Sequence, residues 1–248
     1  MTRAQREAAR YSRADEQRPS VMVDRTPALA QRSGFTLVEL LVVIVIIAVL
    51  AALITPAVFQ ARRSGQISAI KAEIDLLHMA MMHYKNEYGS FPPCTGLAAA
   101  RSHVQRLFPR VTSVNTEVPS QSTPQTALHD WLQGYSKNPT APRSSTPLVK
   151  LFEFDQNRVT TGNQFHPSEK PGSPYIYIDS ANYRYDHDGN PATAEILQPF
   201  TVGGNTYTAD PNANPDTFQI LCAGLDESWG TNSDDDLSNF WKGTRGDQ

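Results

Sequence analysis

Residues 34–59 read GFTLVELLVVIVIIAVLAALITPAVF. Across 35–59 only Thr36, Glu39, Thr55 and Pro56 are not plainly apolar, and 40–54 is unbroken. A helix rises ~1.5 Å per residue, so this run reaches ~37 Å, enough to cross ~30 Å of hydrocarbon with some tilt. The core helix of a soluble protein carries a polar stripe, and this run has none. A secretory signal peptide has a shorter apolar centre with small residues after it, whereas here the glycine stands before it. The run therefore predicts a membrane-spanning helix. A simple uncleaved signal anchor stays open, but it gives the acid at position 39 no role.

A carboxylate in a membrane helix costs roughly 2.5–3.5 kcal/mol when central and less near the interface. Such a group needs a partner. A cut after Gly34 would leave an ammonium on Phe35, able to meet the Glu39 of a neighbouring subunit and so guide assembly. Pro56 removes one backbone hydrogen bond and crowds the preceding turn, which weakens the helix locally. A tolerated membrane kink explains the same residue, and the two readings are compatible.

Working outward, residues 1–33 carry seven arginines against four acids, a formal balance of +3. They read as a disordered cytoplasmic leader whose arginines keep the N-terminus inside, weakly opposed by Arg62 and Arg63 on the far side. After the membrane run, Ile67, Ile70, Ile74, Leu77, Met81, Tyr84 and Tyr88 step by alternating threes and fours, one apolar stripe on an amphipathic helix. The opposite face offers Lys71, Glu73, Asp75 and Lys85. One helix over 35–88 is expected, stopped by Gly89 and by Pro92-Pro93. His78 and His83 lie about 140° apart on it and make poor co-ligands.

The expected organisation is a cleaved leader over 1–34, a transmembrane helix over 35–59, its amphipathic continuation over 60–89, and an exported head over 90–248. The head is rich in Pro, Asn, Asp, Ser and Thr, which suits one loop-rich domain. Candidate strands are 148–154, 175–179, 181–185, 196–202 and 217–222, bounded by turn residues. Residues 126–133 read as a short helix, and 94–147 as two short helical pieces joined by loops. The fold class is α+β: a long helix laid on a small antiparallel sheet.

Without the leader the formal balance is −6, so nucleic acid is not an expected partner. Cys94 and Cys222 are the only cysteines. In an oxidising compartment they form one bridge, or else they are two buried thiols. Near the C-terminus, Leu221-Cys222-Ala223-Gly224-Leu225-Asp226 is followed by Trp229-Gly230-Thr231 and Asp234-Asp235-Asp236. Carboxylates around tight turns are hard ligands of the kind Ca²⁺ takes; a solvated acidic turn is the plainer reading. Candidate ligands are Asp226, Asp235 and Asp236, with backbone carbonyls near Leu221 and Gly224. Asp186-His187-Asp188-Gly189-Asn190 begins like an EF-hand loop but lacks its closing glutamate, and a β-turn accounts for it better. His103, His129, His166 and His187 are scattered and no nucleophile elbow or phosphate loop is present, so catalysis is not expected. An N-terminally anchored exported hydrolase is the distant alternative.

The stretch Gly34-Phe35-Thr36-Leu37-Val38-Glu39 resembles the N-terminal signal of type IV pilins and type II secretion pseudopilins. The resemblance covers roughly 32–90 and implies cleavage between Gly34 and Phe35 by prepilin peptidase, with N-methylation of Phe35. It implies assembly roles for Glu39 and for Pro56, where the family helix bends or locally melts. It implies a single-pass protein of the bacterial inner membrane, N-terminus cytoplasmic and head periplasmic. Its partners would be further copies of itself, the inner-membrane assembly platform and minor pseudopilins. The C-terminal acids are similar to the calcium loop of the major, G-type pseudopilin, with Leu225 in place of a proline and Glu227 in place of a glycine. A type IV pilin or minor pilin of a surface fibre is the alternative within the class.

Overall fold

The computed structural model describes residues 34–119, 123–168, 172–180, 199–202, 204–210, 212–230 and 233–247. The expected leader, the 181–185 strand, the 186–190 turn and the first part of the 196–202 strand lie outside them. The chain divides into two units between Leu53 and Ile54. One helix, α1 (Leu37–Tyr88, 52 residues), contributes to both.

In the first unit, Thr36 caps α1 in a way the sequence reading did not anticipate. The Thr36 backbone N–H and hydroxyl both donate to Glu39 Oε2 at 2.8 Å, and the Glu39 N–H donates back to Thr36 Oγ1 at 3.2 Å. This is a capping box, Thr-x-x-Glu, which satisfies two of the N–H groups a helix start leaves unpaired. Beyond it, the apolar side chains stand exposed on every face, Leu37 at 79% and Ile47 at 59%. Among the described residues nothing covers the run, which agrees with its reading as a membrane span.

In the second unit, α1 is helical at Pro56 and on both sides of it, with no melted turn. Its lower half buries the expected stripe: Ile70, Ile74, Leu77, Met81 and Tyr84 are inside, with Ile67 and Tyr88 packed at the margin. Gly89, at φ +82°, ends it by donating to the Lys85 carbonyl. Two shorter helices follow, α2 (Leu97–Leu107) and α3 (Ala127–Leu132). The strands are β1 (Ile176–Asp179), β2 (Phe200–Val202), β3 (Asn205–Tyr207), β4 (Phe218–Cys222) and β5 (Leu237–Ser238). An antiparallel sheet runs in the order β1-β4-β5, and β2 pairs with β3 in a separate hairpin. Ladder partners Ile176↔Leu221 and Asp179↔Phe218 set the register of β1 against β4. The sheet lies on α1: Lys71 Nζ donates to the Ser238 carbonyl at 2.7 Å, and the His78 ring meets Phe218 at 4.9 Å.

One expectation is corrected. Residues 148–154 form no strand. Val149 makes a single bridge to Tyr135 and stays half exposed, while Phe152 and Phe154 turn into an aromatic cluster with Phe165. The polar face of α1 also carries a partly buried ion pair. Arg158 donates to both Glu73 oxygens, at 2.7 and 2.5 Å, and the Tyr175 hydroxyl joins them at 2.5 Å. Of the two readings of the cysteines the structure shows buried thiols, with no disulfide joining Cys94 and Cys222. The Cys94 N–H bonds Asp179 at the Phe218 end of the ladder. Cys222 lies four residues further along β4, ~13 Å at ~3.3 Å per residue, against ~7 Å for bridged Cα atoms.

Candidate functional site

The chemistry predicted from sequence falls at two places, each described within its own unit. At the first, Gly34 and Phe35 precede the helix, and Phe35 is 74% exposed. Glu39 spends one carboxylate oxygen on Thr36, whose N–H and hydroxyl it accepts. Its other oxygen has no hydrogen bond among the described residues, so the acid caps its own helix and keeps acceptor capacity for an outside cation. The signal for this cap was legible, since Thr three residues before Glu at the head of an apolar run is a helix-start pattern.

At the second place, β4 leaves the sheet at Cys222 and turns at Gly224. That glycine has φ +62°, and a Cβ on it would stand 2.2 Å from the Asp235 carbonyl oxygen. Only glycine permits this approach of two loop strands. The turn brings Asp226 and Asp235 together around one hydroxyl: Ser233 Oγ lies 3.0 Å from Asp226 Oδ2 and 3.1 Å from Asp235 Oδ1. A hydroxyl has one proton, so one of these two oxygens has no donor from Ser233 at any moment. Asp235 is further held by the Leu225 N–H at 2.9 Å and, loosely, by Arg63 at 3.6 Å.

Asp236 faces another way. It is fully buried, and its Oδ2 accepts from the Gly230 N–H at 3.0 Å and from Arg245 at 3.4 Å. Its Oδ1 has no partner among the described residues. Burial pushes the carboxyl up to about 6, against the pull of those two donors. Leu221 occupies a ladder position opposite Ser238, while Gly224 packs directly on Asp235. The donors are hard oxygens and one of them is an orphaned buried carboxylate oxygen, which fits Ca²⁺ chemistry. The structure thus pairs Asp226 with Asp235 and does not converge all three acids. Among the described residues no three His, Cys, Asp or Glu side chains are grouped to hold a metal.

Two of the scattered histidines occupy structural places, and His187 lies outside the described residues. His103 Nε2 lies 2.9 Å from the Tyr84 hydroxyl inside the core, and His129 pairs with Gln133.

Residues 29–55 carry the prokaryotic N-terminal methylation motif. The chain is also similar to core protein G of the type II secretion system of Pseudomonas aeruginosa, 37% identical over 62 residues. That match takes in 25% of this chain and 44% of the relative, so the chain spans less than half of the relative's length. No solved structure matches the chain. The N-terminal segment is thus of the type IV pilin and pseudopilin kind, with a type II secretion protein among its relatives.

Proposed function

We propose that the chain is a pseudopilin subunit of a type II protein secretion system. Prepilin peptidase cuts between Gly34 and Phe35 and methylates the new terminus. The 35–59 helix then holds the subunit in the inner membrane with the head on the periplasmic side. Subunits drawn from the membrane by the assembly platform pack their helices into a short fibre that drives export, with minor pseudopilins as further partners. The observation that carries this reading is the coincidence, in one stretch, of the methylation motif, a wholly exposed apolar helix and a capped acid at position 39.

The apolar helix supplies area for lateral packing, and Glu39 supplies a charge that only a neighbour's terminal ammonium neutralises well in hydrocarbon. Similarity to core protein G favours secretion over a surface fibre. Calcium binding at Asp226 and Asp235 belongs to the same reading, supported by the meeting of the two carboxylates at the Ser233 hydroxyl.

Intact mass and N-terminal sequencing of membrane-extracted protein test the proposal. A chain that begins at methylated Phe35 is expected, and an intact leader in cells with an active peptidase would overturn it. Glu39→Ala is expected to insert normally and to lose cysteine-cross-linked fibres, so fibres of this variant would remove the assembly role. For calcium, chelator is expected to lower the melting temperature of the parent head and not that of Asp226→Ala. An unchanged parent would dispose of the site.

A further inference from the structure

A cavity of about 580 Å³ opens where α1 emerges from its apolar run, between that helix and the acidic loop. Its floor begins at Gln60, the residue directly after the run ends at Phe59. Polar groups of both signs line it: Arg63, Ser64 and Ser68 from α1, and Asp234, Asp235 and Asp247 from the C-terminal loops. The volume is that of a small-molecule site, ~300–1,000 Å³.

The two signs are unevenly committed. Arg63 stands 3.6 Å from Asp235, longer than the ~2.7–2.9 Å of a tight charge-assisted bond, and its side chain is 61% exposed. Most of its donors therefore remain available. Asp247 is fixed in place by the Thr244 N–H at 2.8 Å and the Thr244 hydroxyl at 2.9 Å, which hold its carboxyl below the usual range. Asp234 is exposed. One cation and three carboxylates leave the cavity net negative, so an anion alone is repelled and an ammonium is attracted.

Position then selects the ligand. If 35–59 spans the bilayer, Gln60 and Arg63 stand at the level of the lipid headgroups, where a basic side chain at a helix end meets phosphate. We propose that this cavity binds a phosphoethanolamine lipid headgroup, its phosphate on Arg63 and its ammonium between Asp234 and Asp247. The proposal rests on the membrane-anchored reading. It adds to that reading a headgroup preference, by which the subunit holds an aminophospholipid beside its stem until it leaves the membrane.

The test is made on the full chain reconstituted in phosphatidylcholine vesicles containing equal, minor fractions of phosphatidylethanolamine and phosphatidylglycerol. Flotation comes first: a chain that does not float with the vesicles overturns the anchored reading and this proposal together. For floating protein, lipid retained after mild detergent extraction is counted by native mass spectrometry. Retention of phosphatidylethanolamine at least fivefold above phosphatidylglycerol is expected, with the preference lost in Arg63→Gln and in the double variant Asp234→Asn, Asp247→Asn. Lys242→Gln, an exposed cation outside the cavity, is expected to keep it. Equal retention of the two lipids, or a preference untouched by the cavity variants, overturns the proposal while leaving the anchor intact. Soluble O-phosphoethanolamine bound as tightly as the lipid would assign the cavity to a free phosphoester instead. Circular dichroism melting shows that the variants remain folded.

Discussion

Within α1, residues 37–59 show apolar side chains on every face and all of them are exposed, whereas in 67–88 one residue in three or four is buried and most of the others are polar or charged. The backbone is the same. The first stretch has no polar face to turn to water and needs a surrounding that is itself apolar, while the second gains its stability from one stripe packed on a sheet. A continuous helix can therefore belong to two solvents, and the effect of a substitution depends on which solvent it meets. Leu77 is fully buried and Leu41 is half exposed. In detergent, Leu77→Ala is expected to lower the stability of the head by about 3 kcal/mol, while Leu41→Ala shifts it by less than ~0.5 kcal/mol. Equal losses in denaturant titrations of the two variants would break the comparison.

The polar side of the second stretch sharpens it. Glu73 faces Arg158 and Tyr175 with both partners' side chains less than one-fifth exposed. Removing one member leaves a largely desolvated charge, so Arg158→Ala is expected to cost about 2–3 kcal/mol. Arg158→Lys should recover little, because the contact is a two-pronged fork on the carboxylate. Full recovery by lysine in the same titration would reduce the pair to a simple charge contact.

This pair also shows what a sequence yields and what it withholds. The stripe from Ile67 to Tyr88 was legible because its spacing is a property of the helix alone. Glu73 was not, since its partner lies 85 positions away and nothing local marks it. Residues 148–154 looked like a strand because Leu, Val and Phe cluster there between turn residues. Their aromatic rings pack on Phe165 instead, a tertiary preference that overrides local propensity. The β2–β3 hairpin could have been found from Gly203-Gly204 between Val202 and Asn205, a two-residue turn signal. The two residues of β5 are too few to carry any period. At the candidate sites, the signal before the membrane run and the pairing of Asp226 with Asp235 follow from short motifs. The turn of Asp236 away from the other two acids depends on Arg245 and Gly230 and had no local sign.

A buried histidine extends the comparison to pH. In α2, His103 is held against Tyr84 of α1, and burial, aided by the nearby Arg106 charge, pulls its imidazole down to about 4. An unfolded histidine titrates near 6.5, so between these values the unfolded chain binds more protons than the folded one. The contribution is complete above pH ~6.5 and is lost as pH falls towards 4. Loss of on the order of 2 kcal/mol of head stability across that window is expected. His103→Gln keeps a hydrogen-bonding group beside Tyr84 and should flatten that part of the profile. An unaltered pH slope in the variant would place the titrating group elsewhere.

The smallest expected effect lies in the acidic loop, where the chain holds a non-glycine residue in a left-handed turn. Glu227 has φ +60°, a conformation that disfavours L-residues by roughly 1–2 kcal/mol. The turn is held from outside: the Glu227 carbonyl accepts from Asn205 Nδ2 at 2.6 Å, and the Trp229 N–H donates to Asn205 Oδ1 at 2.8 Å. Those bonds involve no side chain of residue 227, so they survive substitution. Glu227→Gly removes the strain but gives the unfolded chain extra freedom worth roughly 0.5–1 kcal/mol. It also removes a side chain that lies against Gly172, where a Cβ would stand 1.9 Å from Glu227 Oε2. A net gain of about 0.5 kcal/mol in thermal denaturation is expected. A loss of 1 kcal/mol or more would mean that the Glu227 contact with the Gly172 backbone outweighs the strain, and that the acid at this position serves to fasten the loop to the rest of the head.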